Sequence, residues 1–463
     1  MRSIAAVVPV LGIVLIFFCL SMLVPMGFSW VMGDGALADH ALAMLITFMS
    51  GLALRLASRR RQRELQPRDG FVLVAMVWTV LPAFGTLPLL LHIDGLSFTD
   101  AYFEAVSGLT TSGATVLTGL ERLPVSINVW RCFMVLMGGM GIIVLAVAIL
   151  PLLGVGGAQL FKAETAGPMK DEKLTPRMAE TARGLWAVYF AFATACFFAY
   201  RWAGMSWADA FMHMCSTMGL GGFAAYDASF AAFNSPLIEA VAVVFMLLAG
   251  VNFALYFVAF KRRSLRGLWR DIEVRSYVLV MVGAVLLIAT FLTAHQVYPS
   301  FGESFRHAAF NVVSVATTTG FATCAGSTGG GIKMIRSLLL IKQAQRELVR
   351  IVHPRAVVPV TLGGQVVPQQ VLISVIAYML AYGAVTLGAS LLLLFSGLDL
   401  ITATTAVIAC INNTGPGLGE VGPASNFQGL TDFQTWVCTA TMLLGRLELL
   451  SLLVLFTPQF WRN

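Results

Sequence analysis

Runs of about 20 apolar residues recur along the whole chain, and a helix of that length matches the hydrocarbon core of a bilayer. Only 11% of the residues are charged whereas 58% are hydrophobic, which excludes an ordinary soluble domain. The sequence therefore predicts an all-α polytopic membrane protein. Nine such runs are found, at residues 4–30, 41–57, 71–92, 127–153, 184–202, 237–260, 277–294, 371–396 and 433–457.

The basic residues are distributed unevenly between the predicted loops. Most of the 30 Lys and Arg residues lie at the two termini or in segments 55–68, 158–183, 261–275 and 333–355. Basic loops stay in the cytoplasm, so both termini are predicted to be cytoplasmic. The net charge of +7 thus reflects membrane orientation, and nucleic acid is not an expected partner.

Four short segments repeat one another at intervals of roughly a hundred residues. Each is an amphipathic stretch of about a dozen residues, too short to cross a bilayer, that ends in small and polar residues. A helix that enters the membrane and a loop that leaves it is the expected geometry. The segments end at Gly113, Gly222, Gly320 and Gly415, and each has alanine twelve positions earlier, at Ala101, Ala210, Ala308 and Ala403.

A ring of four such loops would suit cation conduction. Glycine allows backbone angles that turn carbonyl groups toward an axis, and carbonyl oxygens can replace the hydration shell of a cation. The negative ends of the short helices would also favour cations. Ordinary helix packing explains one Gly and Thr segment equally well, but it is disfavoured for four in register. No paired carboxylates, histidine cluster or nucleophile triad predicts an enzyme.

At these residues the chain resembles the Trk/Ktr/HKT superfamily of potassium transporters, and most closely its bacterial TrkH/TrkG branch. The resemblance covers essentially all 463 residues. The motifs that carry it include Ser107-Gly-Leu-Thr-Thr-Ser-Gly-Ala-Thr, Gly138-Gly-Met-Gly, Thr317-Thr-Thr-Gly-Phe, Ala325-Gly-Ser-Thr-Gly-Gly-Gly-Ile-Lys, Asn412-Asn-Thr-Gly-Pro-Gly and Leu444-Gly-Arg-Leu-Glu. We interpret Gly138, Gly139 and Gly141 separately, as sites of close helix packing.

The resemblance implies two N-terminal helices followed by four repeats of a first helix (M1), a pore loop and a second helix (M2). The implied boundaries are 1–69 for the two helices, then 70–183, 184–275, 276–355 and 356–463 for the repeats. It also implies a selectivity filter that binds the transported potassium ion at backbone carbonyls, and no covalent cofactor. The implied filter residues are Thr110, Thr111, Ser112, Gly113, Leu220, Gly221, Gly222, Thr318, Thr319, Gly320, Asn413, Thr414 and Gly415.

The family further implies a gate below the filter, and glycine in the first loop implies preference for potassium over sodium. Arg446 would form an electrostatic barrier there, since a charge inside an apolar helix needs a partner or a water-filled cavity. A packing arginine bonded to carbonyls is the alternative. The remaining implied gate residues are Gly326, Ser327, Thr328, Gly329, Gly330 and Gly331.

The family resemblance also implies partners and location. We expect a homodimer in the bacterial inner membrane, in contact with the lipid bilayer, that binds a cytosolic nucleotide-binding ring of the TrkA type. The basic segments are the expected docking faces, although they serve equally well as topogenic charges alone.

Repeat three departs from the family pattern. Thr317–Thr323 runs almost directly into Cys324–Lys333, so roughly one helix of M2 is missing. A shortened variant, an inactivated paralogue and an artefact of the gene model all explain this. The sequence therefore predicts passive or ion-coupled potassium uptake, with a non-selective cation channel and a non-conducting scaffold as the rivals.

Overall fold

Helices account for nearly all the regular structure, which confirms the predicted all-α class. The computed structural model describes residues 2–57, 67–153, 178–321, 334–353, 358–362, 365–447 and 449–461. The exception to the helical pattern is an antiparallel hairpin of strands β1 (Thr361–Leu362) and β2 (Gln365–Val366), in which Thr361 pairs with Val366.

The helices follow one another in an order that repeats. Those of the first half are α1 (Arg2–Ser21), α2 (Leu23–Met32), α3 (Leu37–Ala57), α4 (Pro67–Gly85), α5 (Leu87–His92), α6 (Phe98–Leu109), α7 (Val125–Leu153), α8 (Met178–Trp202) and α9 (Trp207–Gly219). Those of the second half are α10 (Pro236–Ala249), α11 (Phe253–Lys261), α12 (Arg266–Arg270), α13 (Ile272–Ala294), α14 (Phe301–Ala316), α15 (Met334–Val352), α16 (Gln369–Phe395), α17 (Leu400–Ile411), α18 (Asp432–Arg446), α19 (Leu449–Leu453) and α20 (Pro458–Trp461).

Six segments of the described residues are long and apolar enough to cross a membrane, rather than the nine predicted from the sequence. The six are Ala6–Met32, Leu37–Ala57, Asp69–His92, Arg183–Trp202, Ile272–Ala294 and Val371–Phe395. The other three predicted runs, 127–153, 237–260 and 433–457, contain a break in the helix. Helix α7 has a non-helical residue at Gly141, α10 ends before α11 begins, and α18 ends before α19.

The broken helices lie against the ends of the short helices. A Cβ atom on Gly138 would collide with the carbonyl of Leu109, and one on Gly139 would lie 2.6 Å from the Cα of Gly219. This confirms close packing at Gly138 and Gly139. At Gly141, however, φ is 50° and ψ is −152°, so this glycine marks the kink instead.

The short helices α6, α9, α14 and α17 form the centre of the molecule. Every residue of α6 from 101 to 109 is buried, and so is every residue of α9 from 212 to 219. A helix that is covered on all sides is a core element, whatever its polarity pattern. Twelve residues of helix extend only about 18 Å, so α6 does not cross a core of about 30 Å.

Side chains fix where the short helices begin. Ser97, Ser206 and Ser300 each accept a hydrogen bond from the N–H three residues later, and Asp399 caps α17 in the same way. Asp100 and Asp209 are therefore not the N-cap residues of their helices. Their carboxylates instead accept a bond from the capping serine hydroxyls, at 2.8 and 2.6 Å.

The N-terminal helices pack through glycine. A Cβ atom on Gly12 of α1 would lie 2.6 Å from the carbonyl oxygen of Gly51, and one on Gly51 of α3 would lie 2.8 Å from that of Gly12. Within a bilayer, where apolar burial provides little driving force, such close approach of backbones is a main source of helix association.

We expect Gly51→Val to lower the free energy of unfolding by about 1–3 kcal/mol, because the added atoms force α1 and α3 apart. Denaturation of the detergent-solubilised protein measures this. The matched control is Gly283→Val in α13, where a Cβ would have no atom within 4 Å. Equal stability of the two variants would contradict the packing assignment.

Candidate functional site

The four short helices end in the same backbone turn. The residue two positions before each predicted filter glycine has left-handed backbone, with φ between 52° and 61°. For a residue with a side chain this conformation costs about 1–2 kcal/mol, and in three of the four loops the residue is not even asparagine. Strain of this kind persists where surrounding structure fixes it, often at functional sites. The four residues are Thr111, Leu220, Thr318 and Asn413.

Each turn is closed by the hydrogen bonds of a Schellman motif, which usually places glycine at the left-handed position. The N–H before each filter glycine donates to the carbonyl five residues earlier, at 2.8 to 3.0 Å. These bonds are Ser112 to Ser107, Gly221 to Ser216, Thr319 to Ser314 and Thr414 to Ala409. The four loops therefore leave their helices in equivalent directions despite different sequences.

The four glycines lie side by side in a closed ring. A Cβ atom on Gly113 would collide with the backbone of Gly222, and one on Gly222 would lie 2.6 Å from the carbonyl oxygen of Thr319. Likewise, a Cβ on Gly320 would collide with the carbonyl of Thr414, and one on Gly415 would lie 2.8 Å from that of Ser112. Each loop thus contacts the next in chain order, and the fourth returns to the first.

Side-chain hydroxyl and amide groups link the loops from behind. Thr110 and Ser112 are joined by a hydrogen bond of 2.9 Å, and Thr317 and Thr319 by one of 2.8 Å. The amide of Asn413 donates to Ser112 at 2.8 Å and to a carbonyl of α18 at 3.1 Å. The first and fourth loops are therefore connected by side chains as well as by backbone packing.

A cavity of about 480 Å³ lies on the side of the ring where the chain leaves the filter glycines. All four glycines line it, together with the carboxylate residues Asp227 and Glu420. Negative charge at the mouth of such a cavity concentrates cations. Asp227 also accepts bonds from the N–H groups of Gly119 and Leu120, at 2.7 and 3.0 Å, so it joins the segments that follow the first two loops.

Arg446 is held beside the first loop. Its guanidinium donates to the carbonyl of Gly138 and, at 3.3 Å, to the hydroxyl of Thr111, and it lies 5.4 Å from the centre of the Trp78 ring. These contacts satisfy the requirement that a charge inside an apolar helix has polar partners. The other predicted gate residues, Gly326 to Gly331, lie outside the described residues.

One charged pair at this site was not predicted from the sequence. Glu104 of α6 and Arg131 of α7 form an ion pair of 2.6 Å in which neither side chain is exposed to solvent. The available signal was Arg131, the one charged residue of α7, together with Glu104 in the middle of α6, because such charges need a partner. Sequence alone does not say which of the opposite charges that partner is.

Comparison with known proteins decides the family. A family model described as "TrkH: Cation transport protein" matches residues 38–324 and 322–463. The chain belongs to the TrkH family of cation transport proteins. With its six apolar spans, this TrkH-family chain is a multi-pass membrane protein.

TrkH-family relatives resemble it over its whole length. The Trk system potassium uptake protein TrkH of Salmonella typhimurium is 42% identical over 481 residues, covering 99% of both chains. TrkG of Escherichia coli (strain K12) is 38% identical and covers 98% of this chain and 97% of that protein. The crystal structure of the potassium transporter TrkH from Vibrio parahaemolyticus has a TM-score of 0.87 at 41% identity and covers 100% and 99% of the two chains.

The TrkH-family match is divided in repeat three. Its two ranges overlap at residues 322–324, the place where the sequence predicts that part of M2 is missing. The alignment with the Salmonella relative also spans 481 positions, more than the 463 residues here, so that protein has residues with no counterpart in this chain. Helix α15, which follows, is an amphipathic helix outside the six apolar spans, and it packs Leu339 against Val360 and the start of α16.

Proposed function

We propose that this chain takes up potassium ions through the ring of four loops. The observation that carries the proposal is the closed ring of Gly113, Gly222, Gly320 and Gly415, each preceded by the same left-handed turn. Successive carbonyl oxygens of such loops can replace the hydration shell of an ion. The carboxyl ends of the four short helices add partial negative charge, which favours a cation.

In this proposal the filter consists of the four loops, with potassium bound only by backbone carbonyls. The left-handed residues Thr111, Leu220, Thr318 and Asn413 set the direction of each loop. The residues before the glycines tie the loops to the helix ends, and Gly113 favours potassium over sodium. Relatives of this chain bear the name potassium uptake protein, which supports the same ion.

The proposed division of the chain is two N-terminal helices in 1–69 and pore repeats in 70–183, 184–275, 276–355 and 356–463. We place the protein in the bacterial inner membrane with both termini in the cytoplasm, because the basic segments require that orientation. A homodimer that binds a cytosolic nucleotide-binding subunit is the proposed assembly. Its basic cytoplasmic segments are the proposed docking faces.

Arg446 is the proposed inner barrier. Its contact with Thr111 places positive charge beside the first filter loop, where it would oppose the passage of cations until it moves. The small-residue segment Gly326–Gly331 is the proposed companion gate.

A second candidate function is favoured by one observation. Because the family match divides at residues 322–324, we infer that the third M2 is shorter than in the relatives and would support the third loop less. A distorted ring would conduct cations without selecting potassium, and a collapsed one would leave a scaffold for the cytosolic subunit.

We expect this chain to restore growth of a potassium-uptake-deficient bacterium at low external potassium. The comparison is a version in which the segment between Gly320 and Gly326 is extended to family length with the corresponding residues of a TrkH relative. Rescue by the extended version alone would establish an inactivated paralogue. Failure of both versions, with normal amounts of membrane protein, would refute potassium uptake.

Gly113→Ser should lower the preference for potassium over sodium by about tenfold, since strain of about 1–2 kcal/mol at this position displaces the ring. Here φ is 79°, and an added Cβ would collide with Gly222. The preference is measured as the ratio of the potassium and sodium concentrations that halve rubidium uptake. Gly119→Ser is the matched control, because Gly119 also has positive φ, at 68°, but its nearest neighbour is a flexible side-chain atom at 3.8 Å. An unchanged preference in Gly113→Ser would contradict the filter assignment.

Arg446→Ala should raise potassium flux per folded molecule, because the barrier charge is removed. Arg446→Lys keeps the charge and should leave flux close to that of the unchanged chain. Flux is normalised to the amount of protein that elutes as a single species in detergent. If Arg446→Ala lowers that amount without raising the normalised flux, the arginine acts in packing alone.

A further inference from the structure

The buried pair of Glu104 and Arg131 lies between the short helix of repeat one and its M2 helix. Oε1 of Glu104 accepts a hydrogen bond from Nε of Arg131 at 2.7 Å and forms an ion pair with Nη2 at 2.6 Å. Two contacts to a guanidinium fix its orientation as well as its position, because the group is planar. The pair is therefore a rigid connection between α6 and α7.

The same carboxylate holds the chain just beyond the first filter glycine. It accepts bonds from the hydroxyl of Thr115 at 2.9 and 3.0 Å and from the N–H of Val116 at 3.1 Å. Thr115 and Val116 follow Gly113 by two and three residues. Glu104 thus determines where the outer end of the first filter loop lies.

Arg131 extends the connection to the second repeat. Its Nη1 donates to Asn128 at 2.9 Å and to the carbonyl of Ala224 at 3.4 Å, and its guanidinium lies 4.5 Å from the centre of the Phe223 ring. Phe223 and Ala224 directly follow the filter glycine of repeat two. One buried ion pair therefore contacts the outer ends of two adjacent filter loops.

The other repeats do not carry this pair at the equivalent place. Nine residues before the filter glycine, where repeat one has Glu104, the other three have His213, Asn311 and Ala406. His213 bonds to the carbonyl of Asp209 at 2.9 Å and contacts the rings of Phe230 and Phe233. At this position of the four short helices, repeat one alone has a carboxylate.

We propose that Glu104 and Arg131 are positioning residues that set the preference of the ring for potassium over sodium. This inference rests on the proposed potassium uptake. A ring that holds its width cannot contract around the smaller sodium ion, whereas a loosened ring can. Neither side chain touches the ion, and both act through the backbone that follows Gly113 and Gly222.

The test is the double variant Glu104→Gln, Arg131→Gln, expressed as the full chain in a potassium-uptake-deficient bacterium. Glutamine at position 104 has the size of glutamate, and glutamine at position 131 keeps a hydrogen-bonding group on a shorter side chain. The double variant leaves no uncompensated buried charge, which protects folding. The measurement is the ratio of the potassium and sodium concentrations that halve rubidium uptake. We expect the preference for potassium to fall by about tenfold, the effect of losing one charge-assisted hydrogen bond at the ring.

A second variant and a matched control separate positioning from stability. Arg131→Lys retains the charge but loses the planar fork, so its preference should lie between those of the unchanged chain and the double variant. The control is Glu239→Gln, Arg306→Gln, which removes a bidentate ion pair of 2.6 and 2.7 Å between α10 and α14. Its ion preference should stay unchanged at equal amounts of membrane protein.

Each outcome has a distinct meaning. If the unchanged chain takes up no rubidium, the proposed function fails and this inference fails with it. If the unchanged chain prefers potassium and the glutamine pair keeps that preference, only the inference is overturned. It is also overturned if the control loses preference equally, or if both Arg131 variants lose all uptake at normal protein amounts, because the pair then serves conduction or stability in general.

Discussion

The structure depends on one backbone turn that occurs four times. At the end of each short helix the chain passes through left-handed backbone at Thr111, Leu220, Thr318 or Asn413, and a Schellman pair of hydrogen bonds closes the turn. The conformation is unfavourable for residues with side chains, so the tertiary structure must hold it. The surrounding helices do this by burying most of α6 and α9 and by packing glycines such as Gly138 against the last carbonyls of the short helices.

The ring is symmetric in its backbone but not in its side chains. Repeat one has a buried ion pair behind the loop, repeat two has a buried histidine among phenylalanines, and repeat four has apolar residues with an asparagine that reaches across to repeat one. A single chain that encodes four loops separately can support each loop differently, whereas a channel of identical subunits cannot. The TrkH family fold thus permits the preference among cations to depend on the side chains that support one of the four loops.

Repeat three remains the unusual part of this chain. The family match divides at residues 322–324, and α15 follows as an amphipathic helix with charged residues rather than as an apolar span. Meanwhile α14 keeps its serine cap, its left-handed residue and its place in the ring. The position of the third loop in the ring therefore depends on the short helix and its neighbours, and the division of the family match falls on the residues that follow the loop in the sequence.

Sequence alone determined the class, six of the spanning segments and the four loops, because apolar run length and repeated glycines are local properties of the chain. It overestimated the number of unbroken spans, since the breaks at Gly141 and before α11 and α19 arise where M2 helices meet the short helices. It identified Arg446 but not its partners, and it missed Glu104 with Arg131. Only the tertiary structure decided these contacts. Packing brings opposite charges from separate parts of the chain together and excludes the water that would otherwise solvate them.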